Sequence, residues 1–368
     1  MKANDAIRIA VLPGDGIGHE VMEPCLEILN AVSRRLGSLS FRFDTHQAGA
    51  INYRETGEAL PASALAAARE ADAILLGAMG WPEVRYRDGT EISPQIDLRI
   101  ELGLYAGVRP VRTLPGIACV LADPRARHLD FVIIRESTEG LFASRGKGEV
   151  IADREARDTM VITRKVSEPL FDYAFRLARG RKKQRGSGSV TCVDKANVFA
   201  SFAFFRKIFD ERAQHNSDIE ANHAYVDAVA LHMVRKPWDL DVLVTENMFG
   251  DILSDLGAGL MGGLGFAPSA DIGDRHAVFQ PCHGTAPDIA GRKQANPTAM
   301  ILSAAMMLEW LAERHSRPEL DLAGRFIRAA VDHAYGNGLR PLEVGGKDGT
   351  QSTARAVLHA LKHVDAAA

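Results

Sequence analysis

The run Ile7-Arg8-Ile9-Ala10-Val11-Leu12 is apolar at nearly every position and stops at Pro13-Gly14-Asp15-Gly16, the pattern of a buried strand closed by a turn. From Glu20 to Val32 the apolar spacing becomes helical, so the chain opens as strand, turn and helix. Ala71 to Gly77, after an alanine-rich helical stretch, predicts a second strand. Phe131–Ile134, Val190–Val193 and Asp241–Val244 predict three more, and Thr298–Leu308 an apolar helix. Strands alternating with helices of about 10–15 residues define an α/β protein with a largely parallel sheet. Lys147 to Arg164 differs: polar and apolar residues alternate there (Val150, Ala152, Met160, Ile162), which predicts an extended two-stranded arm in need of a partner surface. No repeat and no low-complexity linker divides the chain.

Composition narrows the class of function. The 368 residues suffice for two ordinary domains, and 46% hydrophobic with 25% charged residues is the balance of a globular protein. A net charge of −3 supplies no global attraction to nucleic acid or to a membrane surface, so an anionic ligand must be met by a local basic cluster. The one basic block, Arg179 to Arg185, lies between a predicted helix and a predicted strand and is taken as a solvated turn; no nucleic-acid or membrane partner is expected. Cys25, Cys119, Cys192 and Cys282 form no CxxC pair, which disfavours a zinc site or a disulfide scaffold and fits a reducing compartment. Met1 to Ile9 carries no long apolar core, and a cytoplasmic location is expected.

Three segments carry candidate chemistry. If Asn247-Met248-Phe249-Gly250-Asp251-Ile252-Leu253-Ser254-Asp255 is helical, Asp251 and Asp255 stand one turn apart on one face, where two like charges call for a cation. Oxygen ligands favour Mg²⁺ or Mn²⁺; a solvated helix face accounts for the same pair. Arg99, Arg109 and Arg135 could converge on the carboxylates of an acidic substrate, although each alone fits a surface ion pair. The loop His283-Gly284-Thr285-Ala286-Pro287-Asp288-Ile289-Ala290-Gly291, followed by Asn296-Pro297, has little side-chain bulk, so a flat ring and a ribose can approach its backbone. Asp288 suits an unphosphorylated ribose and would repel a 2′-phosphate. Gly14-Asp15-Gly16-Ile17-Gly18 is one residue short of a dinucleotide fingerprint and is assigned to the turn alone.

With these segments together, nearly the whole chain resembles the metal-dependent β-decarboxylating dehydrogenases that act on 3-isopropylmalate, isocitrate, homoisocitrate and tartrate or D-malate. The resemblance runs from the Gly14–Gly18 turn through NMFGDILSD to HGTAPDIAG and the ANPTAMILSAAMML helix. It implies a two-domain fold with a doubly wound sheet: residues 1–105 and 258–368 as an NAD-binding domain, and 106–257 as the substrate and dimerisation domain. The 147–164 segment becomes the intersubunit arm. By matching position, Arg99, Arg109 and Arg135 are the substrate-carboxylate clamp, with Ser93 and Gln95 near the variable part of the substrate. Lys195 is implied as the catalytic base, and Asp227, Asp251 and Asp255 as ligands of Mg²⁺ or Mn²⁺. Lys195 and Asp227 are implied to serve the neighbouring subunit of a homodimer. His283, Gly284, Ala286, Asp288, Ile289 and Asn296 match the adenosine-binding loop, and Asp288-Ile289 in place of a Lys-Tyr pair implies NAD.

The implied reaction is oxidation of a 2-hydroxy acid, with hydride passing to nicotinamide, followed by loss of the β-carboxylate as CO₂. Ser93-Pro94-Gln95-Ile96-Asp97 mixes features of isopropylmalate and isocitrate enzymes, and RPVRTLPGIACVLA is more similar to tartrate/D-malate dehydrogenases; a malate-type substrate with a small or apolar substituent is expected. One position departs from the pattern. Phe142 stands where the family has a tyrosine able to protonate the enolate, and a phenyl ring cannot do so. A non-catalytic, ligand-binding member of the family is the alternative that this departure raises.

Overall fold

The computed structural model describes residues 6–365. Its strands are β1 (Ile7–Gly14), β2 (Phe41–Thr45), β3 (Ala73–Ala78), β4 (Ala106–Arg112), β5 (Asp130–Glu136), β6 (Glu149–Ile151), β7 (Glu155–Arg157), β8 (Ser189–Asp194), β9 (Glu220–Tyr225), β10 (Val242–Thr245), β11 (Pro268–Ile272) and β12 (Ala277–Pro281). Ten of them form one sheet in the order β2-β1-β3-β12-β11-β4-β5-β10-β8-β9. The outer blocks β2-β1-β3-β12 and β5-β10-β8-β9 are parallel. At the centre β11 runs antiparallel to both β12 and β4, and β4 antiparallel to β5. Every residue of β3, β10, β11 and β12 is buried, as befits strands covered by helices on both faces.

Each strand foreseen from apolar runs is present. Those missed, β2, β4, β9, β11 and β12, are short, or carry charge or proline where an apolar run was sought. The five strands from residues 1–105 and 258–368 occupy one half of the sheet and those from 106–257 the other, meeting where β11 pairs with β4. The 257/258 border falls inside the continuous helix Asn247–Met261, which packs on β4 and β5 of the second half.

The alternating stretch at 147–164 forms a hairpin over a shorter span. β6 and β7 pair antiparallel through a turn in which Ala152 and Asp153 take left-handed φ of 51° and 54°. All six strand residues are exposed, so the hairpin has no core of its own within one chain. Met160 and Ile162 are not in it: the segment after β7 returns to the body, where Val161 bridges to Gly140, and Arg164 already opens the helix Arg164–Arg185. The basic block is the end of that helix, where Arg179 pairs with Asp218 and Arg181 with Asp130 and Asp241. Cations there also favour the helix's carbonyl end.

The central register fixes what faces what. Asp271 on β11 lies opposite Gly107 on β4, and Gly107 lies opposite Arg135 on β5, so an acid, a glycine and a guanidinium share one row on one face. Arg109, two residues along β4, points to the same face. A Cβ at Gly107 would come within 2.6 Å of Ser137 Oγ and 3.1 Å of Asp271 Oδ1, so the hollow it leaves is filled by these polar groups. Gly107→Ala is expected to lower stability by about 1–3 kcal/mol through overpacking, read from the denaturant midpoint. An unchanged midpoint would mean that the row adjusts freely.

Candidate active site

The carboxyl ends of β5, β10 and β8 deliver Arg135, Asn247 and Lys195, placing the candidate residues where open α/β sheets bind ligands. The helix Asn247–Met261 begins directly after β10, capped by Glu246, whose side chain accepts the N–H groups of Met248 (3.1 Å) and Phe249 (2.7 Å). Asn247 Oδ1 then accepts from Arg135 Nε at 3.0 Å and Nη2 at 2.8 Å, while its Nδ2 donates to the Glu139 carbonyl at 3.1 Å. Gly250 lets the helix lie against the arginine, for a Cβ there would sit 2.6 Å from Arg135 Cβ. Asn247, Gly250 and Asp251 of the NMFGDILSD segment thus form the seat of Arg135.

The three arginines do come together. Arg99, on the helix Pro94–Leu102, donates through Nε to Asp271 Oδ2 at 3.0 Å. Arg109 donates through Nη2 to Asp271 Oδ1 at 3.1 Å, and through Nη1 to the Ala270 carbonyl at 3.1 Å. Arg135 pairs with Asp251 as well as with Asn247. All three side chains are buried. Burial first, and the neighbouring Arg99 and Arg109 after it, lower the Arg135 pKa to about 10, which leaves it charged at neutral pH. Asp271, fully buried, was not anticipated from the sequence. Desolvation would raise its carboxyl, yet Arg99, Arg109 and Arg135 hold it at about 2. A lone acid between Ala270 and Ile272 in an otherwise uncharged run was the available signal.

Asp251 and Asp255 lie one turn apart on the helix Asn247–Met261. Partial desolvation, and then the like charge of Asp251, raise the Asp255 carboxyl above the ordinary aspartate range. Such a pair of oxygen donors fits a hard divalent cation, which would relieve that repulsion. Asp227 is elsewhere: at the start of the helix Val226–Arg235 it accepts from Lys195 Nζ at 2.5 Å, which lowers its carboxyl pKa. Among the described residues of the single chain, no group of three or more His, Cys, Asp or Glu side chains is arranged to hold a metal ion. One copy therefore brings together Asp251, Asp255 and the arginines, but not Asp227. Phe142 belongs to the arginine group, its ring face 5.1 Å from the Arg135 guanidinium carbon.

The His283–Asn296 loop follows β12 and packs on the first turn of the chain. Ile17 N–H donates to the Thr285 carbonyl at 2.9 Å, and a Cβ at Gly16 would lie 2.2 Å from that oxygen. Gly16 therefore serves this close approach, while Gly14 and Gly18 make room against Ala78 and Pro13. Gly284 and Asp288 are exposed, and a Cβ at Gly284 would meet nothing within 4 Å, so the loop surface is open to a flat ligand. His283 Nδ1 is 2.9 Å from the Gly284 carbonyl and must carry its proton, leaving the buried Nε2 as an acceptor without a partner among the described residues. Ala286 adopts φ of 38°, and Ile289 N–H donates to its carbonyl at 3.1 Å. Asn296 is held by Glu343 (3.2 Å) and Thr298 N–H (3.1 Å). Among the described residues Gln95 Oε1 is a second buried acceptor without a partner, and Ser93 occupies the N-cap of the Pro94–Leu102 helix without a side-chain cap bond.

Guanidinium groups stand beside an aspartate pair at the carboxyl ends of a doubly wound sheet, an arrangement able to bind an acidic ligand. A family model described as isocitrate/isopropylmalate dehydrogenase matches residues 8–358. The chain is 42% identical over 351 residues to 3-isopropylmalate/3-methylmalate dehydrogenase of Methanocaldococcus jannaschii, covering 95% of this chain and 97% of that protein. It is 41% identical to 3-isopropylmalate dehydrogenase of Moorella thermoacetica, covering 90% and 92%. Among solved structures, isocitrate dehydrogenase from Methylococcus capsulatus aligns with a TM-score of 0.85 at 36% identity, covering 97% of this chain and all of that one. A β-decarboxylating dehydrogenase from Thermococcus kodakarensis aligns at 0.78 with 36% identity, covering 97% and 96%. The chain belongs to the isocitrate/isopropylmalate dehydrogenase family, and it is a decarboxylating dehydrogenase.

If Asp251 and Asp255 hold a cation, binding requires Asp255 to be deprotonated, so its raised pKa gives a signature. Mn²⁺ is expected to raise the Tm at neutral pH, and this gain should shrink as acidification protonates Asp255, starting above the usual aspartate range. Asp255→Ala should remove the gain; an equal gain at all pH values, or in the variant, contradicts the assignment.

Proposed function

We propose that this protein catalyses the NAD-dependent oxidative decarboxylation of a 2-hydroxy acid bearing a β-carboxylate, as a homodimer with shared sites. The observation that carries the reading is the convergence of Arg99, Arg109 and Arg135 beside the Asp251–Asp255 pair. The names of the relatives support a 3-isopropylmalate-like acid, while Ser93 and the unpartnered Gln95 acceptor beside Arg99 leave room for a D-malate or tartrate type.

In this reading the arginines bind and orient the substrate carboxylates through their forked donors. Asp251 and Asp255, with Asp227 of the partner subunit, would hold Mg²⁺ or Mn²⁺. When bound, that cation supplies Lewis-acid polarisation of the hydroxyl oxygen and charge stabilisation during CO₂ loss. Lys195 Nζ takes the hydroxyl proton; in the single chain it already touches a carboxylate, Asp227, with which it would enter the neighbouring site. His283, Gly284, Ala286, Asp288, Ile289 and Asn296 receive the adenosine of NAD, with Asp288 on the ribose hydroxyls. The half of the sheet from 1–105 and 258–368 then serves NAD and the half from 106–257 serves substrate and dimerisation.

The dimer is supported by apolar side chains that one copy leaves in water. Leu231 and Val234 on the helix Val226–Arg235, and Ile252 beside Asp251, are 54%, 49% and 62% exposed. The exposed β6–β7 hairpin needs cover as well. Phe142 favours one second reading, a member that binds ligand without completing turnover, because the ring it presents to Arg135 carries no hydroxyl to protonate the enolate.

Purified protein with Mn²⁺ is expected to run as a dimer in light scattering and to reduce NAD⁺ with one of 3-isopropylmalate, D-malate, tartrate or isocitrate. A folded dimer inactive on all four would favour the second reading. Phe142→Tyr should raise the ratio of CO₂ to NADH if the missing phenol limits the last step; an unaltered ratio would assign that proton to water.

A further inference from the structure

Asp271 sits among the arginines of the clamp itself. Its carboxylate is fully buried, takes one donor from Arg99 (3.0 Å) and one from Arg109 (3.1 Å), and accepts from Gln280 Nε2 at 2.7 Å and Ser137 Oγ at 3.3 Å. Four donors and three neighbouring guanidiniums keep it ionised at any working pH. It therefore cancels, within the protein, one of the three positive charges that Arg99, Arg109 and Arg135 bring. Around this group, Arg135 also pairs with Asp251 and lies near the buried Glu246. Lys195 is paired with Asp227, and in the proposed function Asp251 and Asp255 are the counter-charges of a divalent cation. Arg99, Arg109, Arg135 and Asp271, taken as one set, thus carry two net positive charges to meet the substrate.

We propose that Asp271 is a specificity-determining residue, which sets the charge of the arginine clamp to that of a dicarboxylate and disfavours tricarboxylates. This rests on the reading of the three arginines as the substrate clamp. A third carboxylate would add a negative charge beside Asp271, with no free guanidinium to receive it. Geometry adds to charge. Asp271 engages Arg99 through Nε, so that among the described residues both its terminal nitrogens are left for a ligand, whereas Arg109 spends Nη1 on the Val108 and Ala270 carbonyls and Nη2 on Asp271. The carboxylate thus holds one fork open and retires much of another. The row Asp271–Gly107–Arg135 shows how the acid fits: the glycine leaves the hollow it occupies.

The test is calorimetric titration of the Mn²⁺-supplemented protein with 3-isopropylmalate, D-malate and isocitrate, repeated on Asp271→Asn, with kcat/KM on the same acids alongside. The unmodified protein is expected to bind its better dicarboxylate about tenfold or more tightly than isocitrate. In Asp271→Asn the affinity ratio should move toward isocitrate by about tenfold or more. Equal or tighter binding of isocitrate by the unmodified protein overturns the proposal, and that arm stands even if the variant fails to fold. So does a variant that weakens all three acids by one factor, which is the mark of a purely structural role. Preferential dicarboxylate binding without any NAD⁺ reduction would sink the enzymatic reading and leave the charge assignment standing. Absence of binding by every acid would remove the clamp, and this proposal with it.

Discussion

Three guanidinium groups can be buried on one face of a sheet only if each finds a counter-charge or a strong acceptor within reach, because a charge stripped of water and left unpaired costs several kcal/mol. The centre of this protein is arranged around that constraint. Asp271 serves Arg99 and Arg109, and Asn247 with Asp251 serves Arg135. The backbone follows from it. The antiparallel pairings of β11, β4 and β5 bring acid and arginine into one row, Gly107 clears the space between them, and Gly250 lets the Asn247–Met261 helix close over Arg135. Removing one partner of such a buried pair typically costs about 3–5 kcal/mol, so the fold and the charge pattern of the site are not separable.

The same arrangement is unfinished on one side. Asp251 and Asp255 repel each other, Lys195 is spent on Asp227, and Phe142 presents an apolar face to Arg135 where a proton donor could stand. Exposed Leu231, Val234 and Ile252 surround these groups in sequence. A second copy covering the two helices would bury the apolar side chains and bring a lysine and a third carboxylate toward the aspartate pair. Polar incompleteness and apolar exposure in the same helices have one common remedy, which is the physical reason for proposing a shared site.

Much of this was legible in the sequence, and the parts that were not have identifiable causes. Strands buried on both faces announce themselves as apolar runs, so β1, β3, β5, β8 and β10 were foreseen. β4 was hidden because it carries Arg109, Pro110 and Arg112, and β11 because Asp271 interrupts it; the residues that build the site erase the pattern by which a strand is found. The helical spacing of Asp251 and Asp255 was readable from local sequence alone. Asp271 was not, since its partners lie 172 and 162 residues away and only the register of the sheet joins them. The arm was recognisable by alternation, but its length was overread, because Met160 and Ile162 continue the alternation while serving the main body.

The division of the chemistry between two copies is tested most directly by mixing two inactive proteins, one Lys195→Ala and the other Asp255→Ala, after brief denaturation and joint refolding. Random pairing makes about half the dimers mixed, each with one intact site of two, so about a quarter of the normal NAD⁺ reduction should return. No recovery from a mixture whose dimers have demonstrably exchanged would place Lys195 and Asp255 in the site of one and the same chain, and would contradict the shared site.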